Sequence, residues 1–255
     1  MKYDSILVTV EENVATVTLN RPEDMNALSE KMRSELAGCF ENLERNDTVR
    51  AVVLTGGDQV FSAGVDLKEL AGLGEGEVGD YIGSVTRYLN KIYTFKKPVV
   101  AAVGGIALGG GFNLATVCDI IIASETAIFG HPELKFGLNP LIDPLRRIVG
   151  LARAKEIAML GEPLGAREAL RIGLVNKVAP PERFMEEAHA IARELSRRSP
   201  KALEAVKRIA DIVPRLDRSS AIEHEFEISA LLFSRSESRE HMEKFLEELR
   251  SRKKK

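Results

Sequence analysis

The sequence predicts an α/β protein with a helical C-terminal region. Short apolar runs alternate with amphipathic helical patterns as far as Pro144, which favours a core of strands joined by repeated crossovers. Beyond Pro144 helical patterns dominate, and from residue 199 the chain is patterned as amphipathic helix nearly to its end. We therefore expect a core over residues 1–198 and a C-terminal helical region over 199–255.

Composition and charge exclude several classes of function. With a formal net charge of −2, the chain offers no electrostatic case for binding nucleic acid or an anionic membrane. No stretch approaches the roughly 20 consecutive apolar residues that span a bilayer. The chain enters a strand pattern at once, which leaves no room for a targeting segment, and Cys39 and Cys118 both lie in apolar helical contexts. We expect a cytoplasmic protein.

Alternation and capping predict the first elements. Residues 6–10 and 14–19 alternate well and predict a β-hairpin. Ser29 is a suitable N-cap for a helix over about residues 30–45, and the apolar run 51–54 predicts a buried strand.

The middle of the chain continues the alternation of helix and strand. Its periodicity predicts a helix over about residues 81–95, followed by a strand at 99–103. Two further short strands are expected at 119–123 and 127–129.

The glycine-rich stretch 97–133 is the most informative part of the sequence. Its apolar run leads through glycines at 104–105 and 109–111 into a periodic apolar run, which predicts strand, turn and helix. Glycines at a helix start let a ligand approach the backbone and leave N–H groups free to bind negative charge. Glu133 follows in a loop punctuated by Gly and Pro. N–H donors beside a carboxylate suit proton chemistry next to a carbonyl.

Six segments of the chain, taken in order, carry a family resemblance. They are NRP with NAL (20–28), FSAGVDLKEL (61–70), KPVVAAVGGIALGGG (97–111), CDIIIAS (118–124), FGHPELKFGL (129–138) and AREALRIGLVNKV (166–178). Together they resemble the crotonase family, the enoyl-CoA hydratases and isomerases. The resemblance implies a crotonase-like spiral of repeated ββα units with a C-terminal helical region, assembled as a homotrimer or homohexamer. It also implies an acyl-CoA substrate, with coenzyme A as part of the substrate and no separate cofactor.

The resemblance further implies an active site built around an oxyanion hole. The thioester oxygen would lie between the backbone N–H groups of Val65 and Gly110, and Glu133 would be the catalytic base. Arg21 and Lys68 are candidate contacts for the phosphates or adenine of CoA, with surface charge as the alternative for each. The other residues that the resemblance places along the substrate path are Ala27, Ala63, Asp66, Leu67, Gly109 and His131.

Residue 113 departs from the family pattern. Hydratases of the family usually carry a second glutamate in the helix after the triple glycine, where this chain has Asn113. An amide can orient a water or a carbonyl but does not carry protons. Moving a double bond needs only one base, which removes a proton from C2 and returns it at C4. We therefore expect an isomerase that uses Glu133, and a hydratase with one glutamate is the alternative.

A second departure follows at residues 140–148, where PLIDPLRRI replaces a stretch that is glycine-rich in the family. This segment shapes the acyl pocket, so the acyl group is not predicted. It introduces Asp143, which is either a replacement acid or, with Pro144, the cap of the following helix. His131 is either a titrating group of the site or a hydrogen-bond partner of the loop backbone.

Competing motifs fail in detail. Ile106 stands where a dinucleotide-binding fingerprint requires its second glycine. Ile228 stands where a zinc-protease helix beginning at His224 requires its second histidine, so we predict no metal site. Another acyl-CoA lyase or hydrolase, and a non-catalytic acyl-CoA-binding scaffold, remain compatible with the same residues.

Overall fold

The computed structural model describes residues 2–252, and the chain divides into two compact units. The first is Met1–Arg197 and the second is Arg198–Lys255. The division falls one residue before the boundary expected from the sequence. The last three residues of the predicted C-terminal region, 253–255, lie outside the described part of the chain.

Six strands of the first unit form one sheet. Its first two strands are antiparallel, as the predicted hairpin requires, and every other neighbouring pair is parallel. All residues of the third and fourth strands in sheet order are buried, which explains their apolar sequences. In sheet order the strands are β1 (Ile6–Glu11), β2 (Val14–Leu19), β3 (Ala51–Thr55), β5 (Val99–Val103), β7 (Ile120–Ser124) and β10 (Lys177–Ala179).

Four shorter strands form a second sheet. They are β4 (Val60–Ser62), β6 (Ile106–Leu108), β8 (Ile128–Gly130) and β9 (Leu164–Gly165). The chain alternates between the sheets, since β3, β5 and β7 of the first are each followed at once by β4, β6 and β8 of the second. Each such pair then leads into helical structure, which gives the repeated ββα units.

The predicted passage from strand through glycines into helix omitted strand β6. A Cβ atom on Gly104 would lie 2.4 Å from the Gly57 carbonyl oxygen, and one on Gly105 would lie 1.7 Å from that of Gln59. Only glycines can therefore pass this close to the loop before β4. The close approach starts a new strand, because the N–H of Ile106 donates to the Gln59 carbonyl at 3.3 Å.

Within residues 2–252, ten α-helices accompany the strands. Helix α1 occupies the predicted residues, and the Ser29 hydroxyl accepts from the N–H of Met32 at 3.4 Å as its cap. Helix α3 begins three residues earlier than predicted, after a turn in which the N–H of Gly74 donates to the Glu77 carboxylate. The helices are α1 (Glu30–Arg45), α2 (Leu67–Gly72), α3 (Val78–Tyr93), α4 (Gly110–Thr116), α5 (Asp143–Leu160), α6 (Ala166–Arg171), α7 (Phe184–Ser196), α8 (Pro200–Ile212), α9 (Arg218–Phe233) and α10 (Ser236–Arg252).

The first unit has apolar clusters on both faces of the six-stranded sheet. On one face Phe184 of α7 packs with Val53 and Val100. The opposite face joins the larger cluster, which includes Phe40 of α1 and Phe112 of α4. The larger cluster thus supports the ends of β4, β6 and β8, from which the functional loops emerge.

The second unit consists of helices, as the sequence predicts. It contains α8, α9 and α10, and the side chains of Phe226 and Phe245 are exposed in the single chain. No helix among residues 2–252 combines the length and the apolar character needed to cross a membrane.

Candidate active site

The loop after β4 presents a backbone N–H beside the start of α4. A Cβ atom on Gly110 would lie 3.4 Å from the nitrogen of Val65, so the two backbones run side by side. Among residues 2–252, neither the Val65 N–H nor the Gly110 N–H donates a hydrogen bond. Two adjacent unpaired N–H groups, one at a helix N-terminus, form an arrangement that can bind an oxyanion.

Neighbouring contacts hold this loop in place. Gly64 has a φ of +102°, and its carbonyl accepts from the N–H of Leu28 at 2.8 Å. The N–H of Ala63 donates to the Met25 carbonyl at 3.0 Å. The loop is therefore tied on both sides of Gly64 to the segment that precedes α1.

The carboxylate of Glu133 lies next to the glycine that precedes Gly110. Glu133 begins a 3₁₀ turn after β8, and its side chain is largely buried. A Cβ atom on Gly109 would lie 3.3 Å from Oε1 of Glu133, so a glycine is needed for the carboxylate to approach. The structure thus brings together the predicted base and the predicted pair of N–H donors.

His131 contacts Glu133 rather than the loop backbone. Its Nδ1 is 3.2 Å from both Oε1 and Oε2 of Glu133, and its ring lies 4.8 Å from that of Phe112 between centroids. The hydrogen bond to the loop backbone, one of two interpretations from the sequence, is therefore not formed. A carboxylate is a stronger acceptor than a carbonyl, and it lies within reach two residues along the chain.

Asn113 lies in α4, one turn after its start, and its side chain is buried. Its Oδ1 has no hydrogen-bond partner among residues 2–252. Its backbone carbonyl, by contrast, accepts from Thr116 and Val117. A buried amide oxygen without a partner is unusual, because such groups are normally satisfied by protein or by water. This oxygen is available to a ligand or a bound water.

Asp143 is paired with two arginines and does not cap its helix. The N-cap of α5 is Ile142, and Asp143 is the first helical residue without a side-chain capping bond. Arg146 and Arg147 donate to its carboxylate at 2.9 and 2.8 Å. The expected capping role is therefore wrong, because these guanidinium groups hold the carboxylate.

The same contacts bear on the use of Asp143 as an acid. Partial burial raises the pKa of Asp143, but hydrogen bonds from Arg147 and Arg146 outweigh it and hold the pKa below its usual value. No contact between described residues links Asp143 to Glu133. An ionised carboxylate held by two guanidinium groups is a poor proton donor.

Arg21 is engaged within the protein. It donates to the Ala27 carbonyl at 3.0 Å and to the Asp66 carboxylate at 3.2 Å, and it also pairs with Asp24. Partial burial raises the pKa of Asp66, but the hydrogen bond from Arg21 and two backbone N–H groups lower it overall. Arg21 thus joins the segment before α1 to the start of α2, which leaves it less available to a phosphate than its sequence position suggests.

Lys68 fits a phosphate contact better. Its side chain is 88% exposed, and its ammonium lies 3.3 Å from one oxygen of Asp24. Leu67, beside it, is half exposed at the first position of α2. An exposed ammonium and an apolar side chain at the edge of the site can contact a ligand that carries both anionic and apolar groups.

Sequence reasoning missed Arg33, which is linked through Leu28 to the loop after β4. Its side chain is buried, it donates to the Leu28 carbonyl at 2.6 Å and to Glu69 at 2.6 Å, and it lies over the ring of Tyr81. Leu28 in turn holds the carbonyl of Gly64. The sequence did offer one sign of this role, because Arg33 lies on the apolar face of α1, where a charged side chain needs a partner.

Cavity size alone does not locate this site. A cavity of about 560 Å³ is lined by none of the predicted site residues, and one of its arginines, Arg193, already lies 3.8 Å from Glu12. Within residues 2–252 there is also no group of three His, Cys, Asp or Glu side chains that could hold a metal ion. We therefore assign the site by its chemical groups.

Comparison with known proteins identifies the family. Residues 9–254 match the family described as Enoyl-CoA hydratase/isomerase. The chain is 36% identical to a probable enoyl-CoA hydratase of Rhizobium meliloti, with 96% of both chains covered. It is also 36% identical to the short-chain-enoyl-CoA hydratase of Clostridium acetobutylicum, over 97% of this chain and 96% of that protein.

Solved structures agree with the sequence comparisons. An enoyl-CoA hydratase subunit from Geobacillus kaustophilus matches with a TM-score of 0.90 and 35% identity over 97% of both chains. An enoyl-CoA hydratase from Bacillus anthracis matches with a TM-score of 0.92 and 31% identity, over 96% of this chain and 97% of that one. These matches confirm the crotonase-like fold predicted from the sequence. The chain belongs to the enoyl-CoA hydratase/isomerase family of the crotonase superfamily.

Proposed function

We propose that this protein binds an enoyl-CoA thioester and shifts its double bond from C3 to C2, with Glu133 as the base. The observation that carries the proposal is a carboxylate lying against Gly109, beside the unpaired N–H groups of Val65 and Gly110. The second position at which family hydratases carry a glutamate is an amide, Asn113. No cofactor beyond the CoA of the substrate is required.

The proposed reaction uses these groups in a fixed order. The thioester oxygen accepts hydrogen bonds from the N–H groups of Val65 and Gly110, and Glu133 removes a proton from C2. The electron pair spreads over the thioester oxygen and the adjacent double bond, and it forms a dienolate. Glu133 then returns the proton at C4, which leaves a double bond between C2 and C3 and no change in mass. Each N–H donor is expected to supply about 3–4 kcal/mol of transition-state stabilisation.

Hydration of a 2-enoyl-CoA is the second candidate, and the names of the relatives favour it. Both relatives described above are named as enoyl-CoA hydratases. In a one-carboxylate hydratase, Glu133 would take a proton from water as its oxygen adds to C3, and would deliver that proton to C2. The buried Oδ1 of Asn113 would accept a hydrogen bond from the water. Asp143 is less suited to the second acid, because two arginines hold it.

Product analysis distinguishes the candidates. The pure protein is incubated separately with a 3-enoyl-CoA and a 2-enoyl-CoA. The products are separated by chromatography, and their masses are measured by mass spectrometry. Conversion of the 3-enoyl to the 2-enoyl ester without change of mass supports isomerisation, and gain of one water by the 2-enoyl ester supports hydration. Loss of the acyl group or of carbon dioxide indicates another acyl-CoA reaction. Binding without conversion of either ester would support the interpretation as a non-catalytic acyl-CoA-binding scaffold.

The assembly, location and partners of the protein are also predicted. We propose that the second unit either covers the core or mediates trimerisation. Its exposed apolar side chains, such as Phe226 and Phe245, would be buried in that contact. We propose that the protein forms a homotrimer or homohexamer and acts in the cytoplasm. We expect no nucleic-acid or membrane partner.

A further inference from the structure

A buried imidazole lies against the proposed catalytic carboxylate. The side chain of His131 is 1% exposed and that of Glu133 is 15% exposed. The Nδ1 atom of His131 is 3.2 Å from each of the two carboxylate oxygens, so one donor bridges both. This contact is independent of the loop after β4, because it is formed entirely between residues that follow β8.

The contact fixes the proton on the imidazole. The proposed base acts as a carboxylate, which only accepts hydrogen bonds, so we infer that the hydrogen in this contact belongs to Nδ1 of His131. The other ring nitrogen, Nε2, is buried and has no partner among residues 2–252. The ring packs on Phe112, which itself belongs to the larger apolar cluster. The imidazole therefore cannot swing away without disturbing the core.

We propose that His131 is a positioning residue, whose Nδ1–H holds the Glu133 carboxylate against Gly109 and beside the N–H groups of Val65 and Gly110. Oε1 of Glu133 lies 3.3 Å from the Cβ position of Gly109, with the His131 donor 3.2 Å from the same oxygen. The carboxylate is thus confined by an imidazole and a glycine backbone. The inference rests on the proposed function only in taking Glu133 as the base, and it applies equally to isomerisation and hydration.

Two variants of similar shape test the role of the donor. In His131→Asn the side-chain amide places an N–H where Nδ1 lies, whereas His131→Leu places a methyl group there. We expect His131→Leu to lower kcat about 10- to 100-fold, because a displaced base loses its alignment with the reacting carbon. KM and the Kd of CoA should stay within about threefold of the wild type, since neither depends on this contact. His131→Asn should recover most of kcat.

Thermal unfolding and calorimetric CoA binding establish that each variant folds. If folded His131→Leu keeps the wild-type kcat, or if folded His131→Asn is as slow as His131→Leu, the positioning role is overturned. A purely structural role would lower stability and CoA binding together with kcat in both variants.

A second measurement does not depend on turnover. The chain has four histidines, so ¹⁵N-labelled histidine NMR can assign the His131 signals by their loss in His131→Asn. We expect His131 to show a protonated Nδ1. A protonated Nε2 with a bare Nδ1 would overturn the contact. If the wild-type protein converts neither enoyl-CoA, the proposed function fails, and the NMR result still decides whether His131 donates to Glu133.

Discussion

Gly64 lies directly against Gly110. A Cβ atom on Gly64 would lie 3.0 Å from the Gly110 nitrogen and 2.7 Å from the Leu108 carbonyl oxygen. The close approach of these two glycines brings the backbone nitrogen of Val65 next to Gly110. The geometry of the proposed oxyanion hole therefore depends on the absence of one side chain.

Gly64→Ala should impair catalysis more than the strain of its backbone explains. With a φ of +102°, residue 64 tolerates alanine poorly, and strain of this kind costs about 1–3 kcal/mol. The clash with Gly110 would in addition separate the two N–H donors, so kcat should fall about 100-fold or more. Thermal unfolding and steady-state kinetics on the same preparations measure both effects.

Gly57→Ala is the matched control. Gly57 has a φ of +93°, but a Cβ atom there meets nothing within 4 Å. We expect a loss of stability of about 1–3 kcal/mol with kcat nearly unchanged. Equal losses of kcat in both variants would show that the approach of Gly64 to Gly110 is not special.

Gly109→Ala should displace the base and lower kcat more than it lowers CoA affinity. The added Cβ would lie 3.3 Å from Oε1 of Glu133, which is tighter than ordinary contact. We expect kcat to fall about 10- to 100-fold through misplacement of the carboxylate. Gly137→Ala shares the positive φ and has open space around its Cβ, so it should keep its activity. A fall in CoA affinity with kcat preserved, measured by calorimetry and kinetics, would contradict the assignment of Glu133.

Asn113→Glu should increase hydration relative to isomerisation. The substitution restores a carboxylate where hydratases of the family usually carry one. Because residue 113 is buried, we expect the new charge to cost about 1–3 kcal/mol of stability. Product ratios from a 2-enoyl-CoA and a 3-enoyl-CoA measure the change, and Asn113→Gln controls for size. An unchanged ratio in folded Asn113→Glu would mean that residue 113 does not face the substrate.

Asp143→Asn should lower the free energy of unfolding and leave kcat within about twofold of the wild type. The reason is that the Asp143 carboxylate binds Arg146 and Arg147. The loss should not exceed about 1 kcal/mol, since the carboxylate is half exposed and screened by solvent. The pKa of Asp143 is lowered in the folded state, so this contribution is present above the ordinary value of 3.8.

The contribution of Asp143 should therefore disappear as the pH falls through the lowered pKa. Urea unfolding of both proteins at pH 7 and near pH 3 checks the sign, and the difference should shrink at the acid end. Loss of activity in folded Asp143→Asn would instead support a catalytic acid at this position.

Signals that act between neighbours in sequence predicted most of the fold. The Ser29 cap and the alternation of 14–19 are such signals, and α1 and β2 begin at the expected residues. Strand β6 was missed because it is stabilised by pairing with β4 and β8, whose residues are remote in sequence. The ββα spiral itself came from family resemblance and not from these local patterns.

The site was predictable only in part. Glu133 and the Val65–Gly110 pair came from the resemblance, and the structure brings them together. The contact between His131 and Glu133 depends on the backbone at Pro132, where ψ is −1° and the 3₁₀ turn begins. Whether side chains two residues apart meet depends on the backbone conformation between them, which the sequence pattern here did not predict. Arg33 was missed because its partner, Glu69, is remote in sequence.

The comparison of wild type with Glu133→Gln tests the central claim most directly. The rate of conversion of a 3-enoyl-CoA to the 2-enoyl ester is measured for both, with CoA binding followed by calorimetry. If Glu133 moves the proton, the folded variant should bind CoA normally and lose about 10²- to 10⁴-fold in kcat. A Glu133→Gln protein that converts the substrate at the wild-type rate would contradict the account.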